Sequence, residues 1–159
     1  MNDALLRAED LGKTFPGAAP TPFAAAPAGV RAVDGVSLPV ARGETLAVVG
    51  ESGCGKSTLG RLLLRLIEPT EGRVWFEGRE LSGLPAREMR QMRRHMQMVF
   101  QDPFGSLSPR RTVAQIVAEP LEVFGLAPGR LARRDRVAEL LTTVGLPPAA
   151  MDRHPRSFS

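Results

Sequence analysis

The chain has 159 residues, of which 43% are hydrophobic and 24% are charged. These values are typical of a folded domain and exclude a disordered chain. No apolar run reaches the roughly 18 residues that a membrane-spanning helix needs. The first four residues lack the basic start and apolar stretch of a secretory signal. The composition therefore predicts a cytosolic domain.

The formal charge of +4 does not by itself indicate nucleic-acid binding. The arginines between residues 87 and 94 have no interleaved aromatic side chains that would stack on bases. They are typical of a solvated helix face, and we expect no nucleic-acid partner. The single cysteine, Cys54, cannot form an internal disulfide. His95 and His154 are isolated, which favours surface or capping roles over metal ligation.

Five segments have the residue pattern of β-strands. Residues 4–10 are a weak candidate, and 30–40 alternate as in an antiparallel strand. Residues 45–49 and 96–100 are short apolar runs, which predict strands buried on both faces. Residues 73–77 form the fifth candidate. Between the first two candidates, a stretch from Phe15 to Gly29 rich in Ala, Pro and Gly indicates a flexible surface loop.

Four segments have helical patterns. Apolar residues recur at helical spacing from Leu59 to Ile67, and Pro85 begins a second helix that ends near His95. Residues 112–118 and 131–144 are the other two helices. In the last of these, one face is formed by Val137, Leu140, Leu141 and Val144.

The segment from Gly50 to Ser57 has the pattern of a phosphate-binding loop between a predicted strand and a predicted helix. Glycines at 50, 53 and 55 allow successive backbone N–H groups to converge on phosphate oxygens. The following helix adds the partial positive charge of its N-terminus. The predicted nucleotide-binding residues of the loop are Gly50, Glu51, Ser52, Gly53, Cys54, Gly55, Lys56, Ser57 and Thr58.

Three side chains of the loop have predicted roles. Lys56 is placed to reach the β- and γ-phosphates, and Ser57 to ligate Mg²⁺. Thr58 is placed to contact the α-phosphate. For Cys54 two interpretations stay open, a small side chain that fits the loop or a thiol activated by Lys56 and the helix N-terminus.

Longer motifs in the chain resemble the ATP-binding subunits of ABC transporters. The loop sequence GESGCGKST and the segment from Val99 to Pro103, VFQDP, resemble the phosphate loop and the Q-loop of that family. The continuation from Phe104 to Val113 is similar to oligopeptide and dipeptide importers. The resemblance implies an α/β fold: a P-loop NTPase core with an antiparallel β subdomain, over residues 1–102. It also implies the start of a helical subdomain over residues 103–159.

The resemblance also implies roles for two residues outside the loop. Phe15 would stack on adenine, although an ordinary core position is the alternative. Gln101 would complete the Mg²⁺ shell and sense the γ-phosphate, because its amide offers both an acceptor and donors. Lys56 and Gln101 are thus the predicted catalytic residues, Ser57 and Gln101 the metal ligands, and ATP and Mg²⁺ the cofactors.

Phe158-Ser159 resembles the opening of the family's signature sequence, after which the family has its Walker B carboxylates and switch histidine. We therefore expect this chain to hold nucleotide without hydrolysing it alone, as part of a longer importer ATPase. The implied partners are a second ATP-binding subunit, permease subunits and, indirectly, a substrate-binding protein. The implied location is the inner face of the plasma membrane. The alternatives are a non-catalytic nucleotide-binding fragment and a soluble ABC ATPase.

Overall fold

The computed structural model describes residues 4–17, 28–102 and 105–158. The chain forms two compact units, residues 1–96 and residues 97–159. Each unit has its own hydrophobic core. The boundary between the units lies six residues before the predicted one, and the division into an ATP-binding core and a helical subdomain stays a prediction.

The first unit is built on a four-stranded antiparallel sheet. Its strands are β1 (Ala4–Phe15), β2 (Val30–Ala41), β3 (Glu71–Phe76) and β4 (Arg79–Glu80), in the order β2-β1-β3-β4. The antiparallel pairing predicted for residues 30–40 is confirmed, and β1 extends five residues beyond its predicted end. Most of the flexible loop predicted between β1 and β2 lies outside the described residues.

Two helices belong to this unit. Helix α1 (Lys56–Leu63) directly follows the phosphate loop, and α2 (Ala86–Met92) begins after Pro85, as predicted. Leu59 and Leu62 of α1 join the core formed by the sheet, in which Leu11 and Leu62 are fully buried. The apolar spacing that predicted α1 therefore marks the face that attaches it to the sheet.

The second unit is helical. Helix α3 (Val113–Val123) and helix α4 (Arg130–Thr143) are followed by two short 3₁₀ turns, Pro148–Asp152 and Pro155–Phe158. Both predicted helices are confirmed, and α3 continues five residues further, through Pro120. The buried members of the core are Leu121, Ala127, Val137, Leu141, Ala150 and Met151.

The two predicted buried strands, 45–49 and 96–100, are wrong for the structure of this chain. Neither segment is assigned as a strand, and Val49 and Val99 are 91% and 92% exposed. A strand needs neighbouring backbones to satisfy its N–H and C=O groups. Within the described residues no strand pairs with either segment. Residues 46–49 instead line a cleft of about 610 Å³ together with residues of β2 and α1.

None of the described helices has both the length and the apolar character that crossing a membrane requires.

Candidate functional site

The phosphate loop packs directly on β2. Gly55 caps α1 in the left-handed conformation, with φ of 96°, and Gly53 has φ of 86°. A Cβ added to Gly55 would lie 2.2 Å from the carbonyl oxygen of Ala32 on β2. At Gly53 the same added atom would meet nothing within 4 Å. Glycine is therefore required at position 55 for two reasons: the backbone has a positive φ, and a side chain would overlap the Ala32 carbonyl. This close approach places the loop on β2.

Gly50 and Cys54 face each other across the loop. A Cβ on Gly50 would lie 2.7 Å from the sulfur of Cys54, and the N–H of Cys54 donates to the carbonyl of Glu51 at 3.4 Å. The absence of a side chain at Gly50 thus leaves room for the Cys54 thiol. This contact supports the interpretation of Cys54 as a residue that fits the loop, and the thiol itself is exposed.

The Lys56 ammonium lies within the loop. Its Nζ donates to the carbonyl of Gly50 at 2.7 Å and to that of Glu51 at 2.6 Å, and lies 3.6 Å from the Cys54 sulfur. Among the residues that the structure describes, no carboxylate forms an ion pair with Lys56. The positive charge is therefore held in place by neutral groups, and no carboxylate among the described residues compensates it.

The side chains that follow Lys56 lie on the first turn of α1. Ser57 is exposed and Thr58 is half-buried, and the first bond of the helix runs from the N–H of Leu59 to the carbonyl of Gly55, at 2.8 Å. The first N–H groups of a helix have no intrahelical acceptor. The loop and the start of α1 therefore combine a cation, hydroxyl groups and backbone N–H donors, a set that suits an anion such as phosphate.

Phe15 lies at the end of β1, opposite Val30 of β2. Its side chain is 40% exposed, so the structure disagrees with the alternative of a core residue. Val30 is two residues from Ala32, which corresponds to about 7 Å along a strand. Since Ala32 contacts Gly55, Phe15 and the phosphate loop both lie beside nearby positions of β2.

Lys13 is a residue of this region that the sequence did not single out. Its Nζ lies 5.3 Å from the centroid of the Phe15 ring and donates to the carbonyl of Glu68 at 2.7 Å. Residues i and i+2 share one face of a strand, so the Lys13–Phe15 spacing was the available signal. The ammonium holds one side of the ring by a cation–π contact.

Gln101 belongs to the second unit, where it is exposed. The next residue, Asp102, accepts a hydrogen bond from the N–H of Gly105 at 2.9 Å through its carboxylate. Its backbone carbonyl accepts another from Ser106 at 3.3 Å. Asp102 thus accepts hydrogen bonds from the backbone of two residues that follow it. Pro103 and Phe104 of the Q-loop motif lie outside the described residues, and the role of Gln101 toward nucleotide stays a prediction.

The described residues contain no group of three or more His, Cys, Asp or Glu side chains that could hold a metal ion. A cation at the phosphate loop would therefore need ligand oxygens from the bound anion, with Ser57 as the nearby hydroxyl. The residues present fit a magnesium–nucleotide complex better than a free metal ion.

Comparison with known proteins finds relatives that match the whole chain or most of it. The chain is 52% identical over all of its 159 residues to the probable peptide ABC transporter ATP-binding protein y4tS of Sinorhizobium fredii. It is 50% identical over 131 residues, or 82% of the chain, to the oligopeptide transport ATP-binding protein AppF of Bacillus subtilis. It covers 44% and 40% of the lengths of these two relatives.

Solved structures agree with the sequence relatives. The chain matches the dimeric structure of MJ0796, a bacterial ABC transporter cassette, with a TM-score of 0.75 and 27% identity. The match covers 97% of this chain and 63% of the cassette. A post-hydrolysis dimer of the same cassette, bound to ADP and Pi, matches with a TM-score of 0.74 at the same identity and coverage. The predicted fold class, an ABC-type P-loop NTPase core, is confirmed.

The family model described as ABC transporter matches residues 33–159, which include the phosphate loop and the whole second unit. This chain therefore belongs to the ABC transporter family.

Proposed function

We propose that this chain is the nucleotide-holding part of an ATPase subunit that energises the import of oligopeptides or dipeptides. The observation that carries the proposal is the phosphate loop, in which Lys56 presents a positive charge that no described carboxylate neutralises. The relatives' names supply the transported class, since they are described as peptide or oligopeptide transport ATP-binding proteins. Because the chain spans less than half of those relatives, hydrolysis and transport are proposed for the whole protein.

The bound nucleotide would be ATP with Mg²⁺. Backbone N–H groups of the loop and the Lys56 ammonium would bind the β- and γ-phosphates, and Thr58 the α-phosphate. Ser57 and Gln101 would hold Mg²⁺, which neutralises phosphate charge when it is bound. Phe15 would hold adenine by its ring face, with Lys13 on the ring's other side.

The Lys56 contacts hold the loop in shape. The ammonium donates to the carbonyls of Gly50 and Glu51, which brings the two ends of the loop toward each other. A phosphate would offer the same ammonium a charged acceptor, which gives a stronger hydrogen bond than a neutral carbonyl. Binding would therefore exchange at least one loop carbonyl for a phosphate oxygen.

The proposed partners follow from the relatives. One matched cassette is described as dimeric, so a second ATP-binding subunit is proposed, identical or different. Transport ATP-binding proteins act with membrane components, so permease subunits are proposed as the surface on which this protein sits, at the inner face of the plasma membrane. A substrate-binding protein would act through the permease.

Hydrolysis by the full-length protein tests the catalytic part of this proposal. Wild-type protein should hydrolyse ATP in the presence of Mg²⁺, and Lys56→Ala should abolish the activity while leaving the circular-dichroism spectrum of the folded protein unchanged. Near-normal turnover by Lys56→Ala would refute the assignment of the phosphate loop.

Co-purification tests the transport part. Membranes that contain the permease subunits should retain the full-length protein, and cells without it should lose uptake of a labelled tripeptide. Hydrolysis with consistently failed retention would favour the alternative of a soluble ABC ATPase. Nucleotide binding with neither hydrolysis nor retention would favour a non-catalytic role.

A further inference from the structure

Strand β1 contains one residue more than the stretches of β2 and β3 that pair with it. Between two successive pairs on each side, β1 advances three residues while its neighbour advances two. The pairs are Ala8 with Leu38 and Leu11 with Val36 on the β2 side, and Glu9 with Arg73 and Gly12 with Glu71 on the β3 side. Such a surplus is a β-bulge, and Asp10 is the residue of β1 that both steps pass over.

Asp10 has a backbone conformation that few residue types accept. Its φ is 47°, in the left-handed region that Asp and Asn tolerate better than other residues with a Cβ. Its N–H donates to the hydroxyl of Ser37 at 2.8 Å, and that hydroxyl donates to the Asp10 carboxylate at 3.3 Å. On the β3 side, a Cβ added to Gly72 would lie 2.3 Å from the Asp10 carbonyl oxygen. The side chains of Asp10 and Ser37 and the glycine at 72 therefore hold the bulge in place.

The bulge changes which residues of β1 face the core. Successive side chains of a regular strand point to opposite faces, so residues 8 and 11 would lie on different faces. Instead Ala8 and Leu11 are buried in the same core, with exposed fractions of 1% and 0%. The surplus residue between them shifts the alternation by one position. After the bulge, the odd-numbered residues of β1 therefore share the face of Leu11.

Lys13 and Phe15 are the residues that this shift places. They follow Leu11 in steps of two, and the cation–π contact between them shows that they share a face. Lys13 pairs with Val33, which is buried in the same core. A Cβ added to Gly55 of the phosphate loop would lie 3.7 Å from a methyl group of Val33. The bulge thus puts Phe15 on the face of the sheet against which the phosphate loop packs.

We propose that Asp10 is a positioning residue for adenine binding. This inference rests on the proposed function, in which Phe15 stacks on adenine. The left-handed bulge at Asp10 turns the end of β1 so that the Phe15 ring and the phosphate loop serve one bound nucleotide. Asp10 acts only through the backbone of β1.

Three substitutions separate the backbone conformation of Asp10 from its charge and from strain elsewhere in the sheet. Asp10→Val disfavours the bulge, because β-branched residues rarely adopt positive φ, and it removes the bond from the Ser37 hydroxyl. Asp10→Asn removes the charge but keeps the tolerance of positive φ and a side-chain acceptor. Glu77→Val is the matched control. Glu77 has φ of 50°, and its N–H donates to Leu5, near the end of β1 opposite to Phe15.

The experiment compares two ligands of the full-length protein by calorimetric titration, ATP with Mg²⁺ and tripolyphosphate with Mg²⁺, which lacks the base. Asp10→Val should weaken ATP binding about fivefold, the loss of one aromatic stacking contact, and change tripolyphosphate binding less than about twofold. Asp10→Asn and Glu77→Val should stay within about twofold of wild type for both ligands, because the bulge is kept. Asp10→Val combined with Phe15→Ala should bind ATP as Phe15→Ala does, since both changes act on one contact.

Asp10→Ala replaces the valine variant if circular dichroism shows that Asp10→Val does not fold. Alanine also lacks the side-chain acceptor and resists positive φ, so ATP binding should fall about threefold with tripolyphosphate binding unchanged. Wild-type affinity for ATP in the folded variant, valine or alanine, would overturn the inference.

Three further results would also overturn it. The first is an equal loss of affinity for ATP and tripolyphosphate, which would show a purely structural role. The second is an equal loss of ATP affinity in Asp10→Asn or Glu77→Val, and the third is a further loss when Asp10→Val is added to Phe15→Ala. If Phe15→Ala itself binds ATP normally, the adenine role in the proposed function fails and the inference fails with it. If Phe15→Ala binds weakly and Asp10→Val binds normally, only the role of Asp10 fails.

Discussion

Replacing Gly55 with alanine tests how the phosphate loop is held on the sheet. Two effects should add at this position. The backbone has φ of 96°, which an L-residue with a Cβ adopts at a cost of about 1–2 kcal/mol. The new methyl group would also lie 2.2 Å from the carbonyl oxygen of Ala32. Relieving that overlap needs a shift of about 1 Å in either backbone, and forced repacking of this kind costs about 1–3 kcal/mol.

Gly53→Ala separates the two effects. Gly53 has a similar φ of 86°, but an added Cβ would meet nothing within 4 Å. We therefore expect about 1–2 kcal/mol of destabilisation for Gly53→Ala and about 2–5 kcal/mol for Gly55→Ala.

Chemical denaturation of the full-length protein, followed by circular dichroism, measures both values. Gly43→Ala is the reference outside the loop, because Gly43 has φ of 78° and open space around it. It should behave as Gly53→Ala does. Equal unfolding free energies for Gly55→Ala and Gly53→Ala would refute the packing of the loop against Ala32.

The remaining predictions concern the aromatic ring and the start of α3. Phe15→Ala should weaken ATP binding severalfold, about 1 kcal/mol for a lost stacking contact, while Phe15→Tyr keeps the ring and the affinity. Fluorescence titration measures both affinities. Unchanged affinity in Phe15→Ala would show that Phe15 is not part of the site. Thr112→Ala removes one half of the capping box that Thr112 forms with Gln115 and should lower the free energy of unfolding by about 1 kcal/mol, whereas Thr112→Ser should lower it little. Equal free energies of unfolding for the two variants would contradict the capping role.

The sequence predicted the local features of this fold well, because their causes are local. The glycine turn before α1, with positive φ at Gly53 and Gly55, the apolar spacing of α1 and the helix at 131–144 each depend on residues within one or two turns of chain. The antiparallel strand at 30–40 was also correct, since its alternation reflects one covered face. These features needed no knowledge of distant partners.

The two wrong predictions are the strands at 45–49 and 96–100. Their apolar pattern does not show which other strands would pair with them. The apolar run 45–49 predicts burial on both faces, but burial requires neighbouring strands, and within the described residues none pairs with it. The same applies to 96–100, where Val99 is almost fully exposed. An apolar run indicates that a segment favours burial. Which strands or helices bury it depends on the tertiary structure.

Contacts between distant segments were equally out of reach. Ala32 has no chemical signature, yet its carbonyl fixes the position of Gly55. His154 was predicted to have a surface or capping role, and it is exposed, but its hydrogen-bond partner, the carbonyl of Arg111, lies 43 residues away. The first pair depends on how the loop packs on β2 and the second on how the segments before α3 and before the second 3₁₀ turn meet, and no spacing in the sequence encodes either.

Calorimetric titration of ATP with Mg²⁺ into the full-length protein tests the central claim, that the loop around Lys56 binds the triphosphate. Lys56→Ala removes a charged hydrogen-bond donor, so the affinity should fall about 10- to 100-fold. Arg61→Ala removes a positive charge from an exposed position of the same helix and should change the affinity less than about twofold. Unchanged affinity in Lys56→Ala, or an equal loss in both variants, would contradict the claim.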